Sequence, residues 1–416
     1  MDRTIIHCDM NSFFASVELL SRPDLEGLPV AVSGSPENRH GIILAKNDLA
    51  KKYGVITAET IWSAKKKCPN LQLIPPHHDK YKYYCKLINE IYGRYTDMVE
   101  PFSIDESWLD VTASLKLFGS GEKIANEIRE TVKRELGLTL SAGVSFNKIF
   151  AKMGSDYKKP NATTVISREN YKDILWPMDV EEMFFVGSST ASKLKKAGIF
   201  TIGDLATSNR VILEGLLGKT GAQLHDYANG LDDSPVSHSY EKQKIKSVGN
   251  GMTFKRNLST ADDIQTALRS LSDTVSSRLR RYQMKCFGVK IDIKDPYFKN
   301  ISRQKQLDVP TNITDEIYHA AYELICSSWT IGNPIRLLTV TGINLTDEDA
   351  DEQISLFAQS NEVREKSAQL DKAMDAIREK FGGSSVTFGN VINNSLGINT
   401  KQEFDEDGNA NKGPKN

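Results

Sequence analysis

Residues 4–8, Thr-Ile-Ile-His-Cys, form a short, mainly apolar run that ends on a single carboxylate, Asp9. From Asn11 to Ser21 the apolar spacing changes, with Phe13, Val17 and Leu20 at i, i+4 and i+7; this predicts a buried strand flowing into an amphipathic helix. Phe14 lies about 100° round that helix from Phe13, so Phe13 belongs to the core face and Phe14, above Glu18, looks toward whatever Asp9 holds. Residues 97–102 and 107–112 read as two strands meeting near Ile104, with Asp105 and Glu106 at the turn between them. Neighbouring residues on a regular strand point to opposite faces, so two adjacent carboxylates converge only where the strand bends. Residues 141–161 read as a strand entering a helix that Pro160 ends, and Lys148, Lys152, Ser155 and Lys159 fall within about 60° of one another on the helical wheel. From Lys246 onward the order is strand, helix (Thr260–Tyr282), two strands around residues 286–295 and 303–310, a helix, and a strand at 335–345. That βαββαβ order is ferredoxin-like.

Composition narrows the class. A chain of 416 residues with 39% hydrophobic content buries a sizeable core and divides into several domains. Its charges nearly cancel overall, yet residues 246–345 hold 14 basic and 9 acidic side chains, net +5, whereas residues 346–416 hold 8 and 14, net −6. A basic module is followed by an acidic extension. No apolar run approaches the roughly 20 residues of a membrane span, and the start shows no charged-then-apolar signal pattern. Cys8, Cys68, Cys85, Cys286 and Cys326 lie far apart with no CxxC pair, which points to reduced thiols and a cytoplasmic location.

Carboxylates beside buried strands are costly unless a cation sits among them. Asp9, Asp105 and Glu106 fit such a cage, and hard oxygen ligands without Cys/His spacing suit Mg²⁺ better than Zn²⁺. Taken singly, the ring pair also reads as packing, the Asp-Glu pair as a solvated turn and the lysine stripe as a solvated face. Together they read as a metal cage beside a surface for a triphosphate and nucleic acid.

In order and spacing, residues 9–18 (DMNSFFASVE), 103–110 (SIDESWLD) and 143–160 (GVSFNKIFAKMGSDYKKP) resemble the Y-family translesion DNA polymerases, nearest the bacterial DNA polymerase IV branch, over roughly residues 1–348. The resemblance implies two Mg²⁺ ions, with Mn²⁺ as a substitute, held by Asp9, the Met10 carbonyl, Asp105 and Glu106. It implies triphosphate contact by Lys159, a nucleotide site walled by Phe13 and Phe14, and Phe14 as the steric gate that fills the space of a ribose 2′-hydroxyl. Many members carry a Tyr and an Arg on the phosphates where this chain has Asp48 and Lys51. Lys51 still serves as a point charge, without the forked geometry of arginine; Asp48 receives no role. Residues 183–206 resemble a helix-hairpin-helix whose usual first glycine is Phe185, leaving Gly187 either to grip a DNA phosphate or to serve a structural turn. The residues assigned to DNA are Lys148, Lys152, Gly187, Lys255, Arg256, Arg278, Arg280 and Arg281.

The expected architecture is α+β, a right-hand polymerase. A ferredoxin-like palm spans residues 1–18 and 77–166, small fingers 19–76, a helical thumb 167–232, a tether 233–245, a ferredoxin-like little finger 246–348 and an acidic extension 349–416. No stretch is left for a proofreading exonuclease, so low fidelity and tolerance of damaged templates are expected. Expected partners are primer-template DNA, deoxynucleoside triphosphates and the bacterial sliding clamp, with the chain a monomer free of membrane. The clamp is assigned to Gln353-Ile354-Ser355-Leu356-Phe357, in which Gln353 hydrogen-bonds and Leu356 and Phe357 enter an apolar pocket; the competing reading is an apolar latch against the little finger. Two rivals stand beside the polymerase: a catalytically inactive DNA-bound adaptor, against which the retained carboxylates speak, and a nucleotidyl cyclase, which needs neither thumb nor basic module.

Overall fold

The computed structural model describes residues 2–34, 41–241, 244–349, 361–392 and 394–398. The chain divides into two compact units, residues 1–32 with 43–242 and residues 33–42 with 243–416.

In the first unit, β1 (Ile5–Met10) leads through Ser12, left-handed at φ 49°, into α1 (Phe13–Leu19). A small subdomain follows: β2 (Val30–Ser33), β3 (Ile43–Lys46), α2 (Asp48–Lys52), α3 (Ile61–Lys67) and β4 (Gln72–Ile74), its sheet ordered β3-β2-β4. The chain continues through α4 (His78–Tyr92), β5 (Val99–Pro101), β6 (Glu106–Asp110), α5 (Leu115–Phe118), α6 (Gly121–Leu136), β7 (Leu140–Ser145), α7 (Lys148–Tyr157) and β8 (Thr163–Ile166). These strands form one sheet ordered β5-β6-β1-β7-β8, with β1 antiparallel to both neighbours. Strand alternation then sorts β1 between two layers. Ile6, Cys8 and Met10 enter the core formed with α4 and α6, while Ile5 packs with Trp108 and Ala151 on the α7 side. His7 and Asp9 share the side of Ile5, which sets Asp9 facing α7. The helix can lie that close because position 143 is glycine: a Cβ there would collide with the backbone of Ala151 and Ser155.

Five short helices complete the unit: α8 (Tyr171–Leu175), α9 (Ser188–Lys196), α10 (Ile202–Thr207), α11 (Arg210–Leu217) and α12 (Lys219–Ala228). Their core is continuous with Phe146, Ile149, Phe150 and Met153 at the start of α7. The expected tether differs from the observed chain path. Its first residues lie on the sheet: Arg3 donates to Ser234 O at 2.7 Å, Ser237 N donates to Glu100 Oε2 at 2.9 Å, and Val236 is buried beside Trp108.

The second unit has β9 (Ser247–Leu258), α13 (Ala261–Arg281), β10 (Met284–Lys294), β11 (Asn300–Thr311), α14 (Thr314–Ser328) and β12 (Ile335–Asp347), in the expected βαββαβ order. The antiparallel sheet runs β11-β10-β12-β9. Thr260 caps α13 by accepting from Asp263 N at 3.1 Å, as its sequence position suggests. One helix finds a partner that its sequence does not name. α15 (Asn361–Phe381) is fastened to α13 by ion pairs from Arg280 to Asp371 (3.1 Å) and Asp375 (2.6 Å), and from Arg378 to Asp273 (2.8 Å). Val391, Leu396 and Ile398 then join the core of this unit. Much of the expected acidic extension is thus part of the fold. Residues 353–357, assigned to the clamp, lie outside the described residues.

Candidate active site

Register places the carboxylates. Asp9 sits directly opposite Glu106 on β6 and Ser141 on β7, and Met10 N donates to Asp105 O at 3.0 Å, so the turn before β6 is tied to the end of β1. Across from them stands α7. Lys152 Nζ lies 3.0 Å from both Asp9 Oδ2 and Glu106 Oε2 and 3.1 Å from Asp156; Lys159 Nζ lies 2.6 Å from Asp9 and 2.7 Å from Asp156. Behind Glu106, the buried His7 ring places Nε2 3.3 Å from Glu106 Oε2 and Nδ1 2.8 Å from Ser155 Oγ.

Burial would raise the pKa of Glu106, but the His7 contact and the Lys152 charge prevail and hold it at about 2. Asp105 differs, because burial with the nearby Asp9 and Glu106 charges raises it despite the bond from Ser103 Oγ. Burial opposes the charged form of Lys152, yet Asp9, Asp156 and Glu106 together raise its pKa. Two ammonium groups, Lys152 and Lys159, therefore face three carboxylates.

The residues fit a divalent cation. Among the described residues His7, Asp9 and Glu106 bring ligand atoms within 4.8 Å of one another, and Glu106 Oε2 is met by the Lys152 ammonium and by His7 Nε2 without a regularly oriented hydrogen bond. Lys152 supplies the positive charge that this acidic donor set calls for. Asp105 stands at the rim, bonded to Ser103.

These groups floor a cleft of about 510 Å³ that also holds Phe14, Lys51 and Asp48. Both rings line the cleft, Phe13 buried at 3% exposure, as the helical phase predicts, and Phe14 only partly covered. Phe14 does not stack over Glu18: it stacks on Tyr81, with ring centroids 4.0 Å apart, and Tyr81 in turn donates to the buried Glu18 at 2.6 Å. Neither Tyr81 nor Lys46, whose Nζ donates to Thr57 Oγ1 at 3.0 Å in the same cleft, was legible in the sequence pattern. The signal for Tyr81 is the acid it meets, 63 residues away.

The lysine stripe is divided. Lys148 Nζ pairs with Glu100 at 2.7 Å, bonds Pro235 O and lies 4.5 Å from the Trp108 ring centre, so it anchors the segment expected to be free tether. Lys152 is buried among the carboxylates, and Lys159 lies past the end of α7, so the structure corrects the single open basic face. Helical phase alone cannot reveal which partners a long side chain finds. Gly187 caps α9 in open space, and Phe185 before it takes the left-handed φ of 71° and stays 56% exposed, so the turn keeps its shape without glycine. In the second unit Arg256 is held by both oxygens of Asp263 (2.7 and 2.6 Å), Arg278 donates to Gly249 O and Arg280 is engaged by α15; Lys255, Arg256 and Arg281 are all exposed to solvent. Arg280, assigned to DNA from the sequence, makes its contacts here with Asp371, Asp375 and Asn312 O. Val289, Ile291 and Ile293 point into the core, so Lys290 and Lys294 occupy the face of the sheet away from the helices.

Asp9 and Glu106 face lysines across one cleft, on a sheet that is antiparallel except for its β7–β8 pair and is backed by helices, an arrangement suited to a divalent cation and a polyphosphate. Residues 8–156 match the impB/mucB/samB family, residues 245–356 its C-terminal domain, and residues 185–232 the DNA polymerase-iota thumb domain. The chain is 48% identical to DNA polymerase IV of Acetivibrio thermocellus over 96% of its own length and 100% of the relative's. It is 39% identical to DNA polymerase IV of Clostridium kluyveri, over 95% and 100%. A solved Y-family DNA polymerase chimera superposes with a TM-score of 0.74 at 25% identity, over 83% of this chain and 99% of that one. The chain belongs to the Y family of DNA polymerases, within its bacterial DNA polymerase IV-like branch.

Proposed function

We infer that this chain is a template-directed DNA polymerase that adds deoxynucleotides to a primer 3′ end and copies damaged templates. The observation that carries the reading is the meeting of Asp9 and Glu106 with Lys152 and Lys159 on the floor of one cleft, in a chain with DNA polymerase IV relatives along nearly its whole length. The intact carboxylate set gives no support to an inactive adaptor. Primer extension across a defined template lesion, with and without Mg²⁺, tests it; no metal-dependent extension on an undamaged template would overturn it.

Y-family polymerases are metal-dependent, and the donor set here favours two Mg²⁺ ions held by Asp9, the Met10 carbonyl, Asp105 and Glu106. When bound, such ions lower the pKa of the primer hydroxyl and neutralise the triphosphate as pyrophosphate leaves. Lys152 keeps the carboxylates ionised and compact, and Lys159 and Lys51 hold the triphosphate. Residues 1–18 and 77–166 serve as palm, 19–76 as fingers, 167–232 as thumb and 246–348 as little finger. The fingers have a small core of their own, in which Ile43, Val55, Ile61 and Leu71 pack with Ala31, Ala50 and Ala64. Among the described residues no helix is long and apolar enough to cross a membrane.

Phe14, backed by Tyr81, acts as the sugar gate. Phe14→Ala is expected to admit ribonucleotides with little loss of deoxynucleotide use, measured as the ratio of kcat/KM for the two sugars. Phe13→Ala is expected instead to destabilise the fold by about 3–5 kcal/mol, because its ring is buried. Reversed effects would reverse the roles of the two rings.

Gln353, Leu356 and Phe357 form a docking peptide for the sliding clamp. Leu356→Ala with Phe357→Ala should leave extension of a short bare primer unchanged and remove stimulation by the clamp, whose tethering raises effective concentration. Equal loss without a clamp would favour the apolar latch.

A further inference from the structure

Trp62 is 74% exposed, whereas Trp108 is buried and Trp176 and Trp329 are partly covered. It sits on α3, whose Ile61 and Ala64 are buried, and shares the outer face with Lys65 and Lys66 at i+3 and i+4. The Lys66 ammonium lies 5.5 Å from the centre of the indole ring.

The support beneath this ring is stiff. Glu59 accepts from Ile56 N (2.7 Å), Ser63 Oγ (2.7 Å) and Lys67 Nζ (2.8 Å), Lys67 also donates to Gly54 O (2.9 Å), and Thr60 caps the helix. Five residues before the tryptophan, Thr57 lines the nucleotide cleft. A rigid stalk thus carries a large apolar ring and two lysines from the cleft wall into solvent.

An exposed aromatic beside lysines is the chemistry that binds unpaired nucleic acid: the ring stacks on a base of any identity and the ammonium groups meet the phosphates. Lys65 and Lys66, on a helix without an acid among its seven residues, complement a polyanion, while Lys67 is held by Glu59. Templated synthesis supplies such a strand beside the cleft, because the template ahead of the templating base is unpaired. The duplex behind it presents its bases already stacked. We propose that Trp62, with Lys65 and Lys66, is a stacking platform for the first unpaired template base beyond the one being copied. The proposal rests on the polymerase reading and adds to it a contact outside the catalytic cleft.

The test compares two primer-templates, one ending at the templating base and one continuing several nucleotides past it, with DNA affinity read from single-turnover extension. The full-length protein should bind the longer template about ten-fold more tightly, in keeping with the stacking energy of one base. Trp62→Ala should abolish that advantage and Trp62→Phe should keep most of it. An abasic residue at the first downstream position should reduce the advantage for the natural protein as Trp62→Ala does, with no further loss when the two are combined. The proposal is overturned if Trp62→Ala keeps the full advantage, or if it weakens both templates equally, which would mean that the ring serves the fold or the duplex. Extension of the shorter template by the natural protein monitors the polymerase reading separately.

Discussion

Glu106→Ala is expected to lower primer extension about a thousand-fold while leaving thermal stability and DNA affinity close to those of the natural protein. Such a loss is about 4 kcal/mol of transition-state stabilisation, the scale of losing one ligand of a metal that polarises a phosphoryl group. The fold should stand, because Lys152 keeps Asp9 and Asp156 as partners and no buried cation is stranded. His7 loses its acidic neighbour but keeps Ser155, and burial already favours its neutral form. Single-turnover extension alongside a thermal melt checks both halves of the expectation. Extension above about a tenth of the natural rate would remove Glu106 from the reaction; a collapsed melt would make it a structural residue.

The second large effect concerns stability, not chemistry. Arg280→Ala should destabilise the second unit by about 3–5 kcal/mol, because it strands Asp371 and Asp375 where little water reaches them. Arg280 also donates to Asn312 O at 2.7 Å, and Asp371 accepts from Thr314 N at 2.8 Å, so the network joins α13, the start of α14 and α15. Denaturant unfolding measures the loss. Adding Asp375→Ala should restore part of it, since one of the two stranded carboxylates is then removed while Asp371 remains. A variant that unfolds like the natural protein but binds DNA weakly would return Arg280 to the DNA-facing role that its sequence context suggests.

That residue shows where sequence reading reaches its limit. Arg278, Arg280 and Arg281 stand together as one basic cluster in the sequence, and nothing local separates them. Their positions on α13 do: Arg280 faces a helix that begins about 80 residues later, and only the folded chain brings its aspartates alongside. The lysines of α7 repeat the lesson. Lys148, Lys152 and Lys159 share a helical phase, yet one secures residues 234–237 to the sheet, one is buried among carboxylates and one lies beyond the helix end. Long flexible side chains are sorted by distant partners, and distance in space is not written in local periodicity.

By itself the sequence determined the elements and the polar residues at their ends. The run of residues 4–8 into Asp9, the split phase of Phe13 and Phe14, the turn at Asp105 and the βαββαβ order of the second unit all follow from periods of 2 and 3.6, which are local properties of the backbone, whereas Glu106, expected in that turn, is the first residue of β6. The tertiary structure alone decided which groups meet. Opposite positions in β1 and β6 joined Asp9 to Glu106, the missing side chain of Gly143 let α7 bring Lys152 between them, and the buried acid at Glu18 turned Tyr81 into the backing of Phe14. Each of these needs two segments far apart in the chain to pack at a particular register, and burial then selects the charges that can compensate one another.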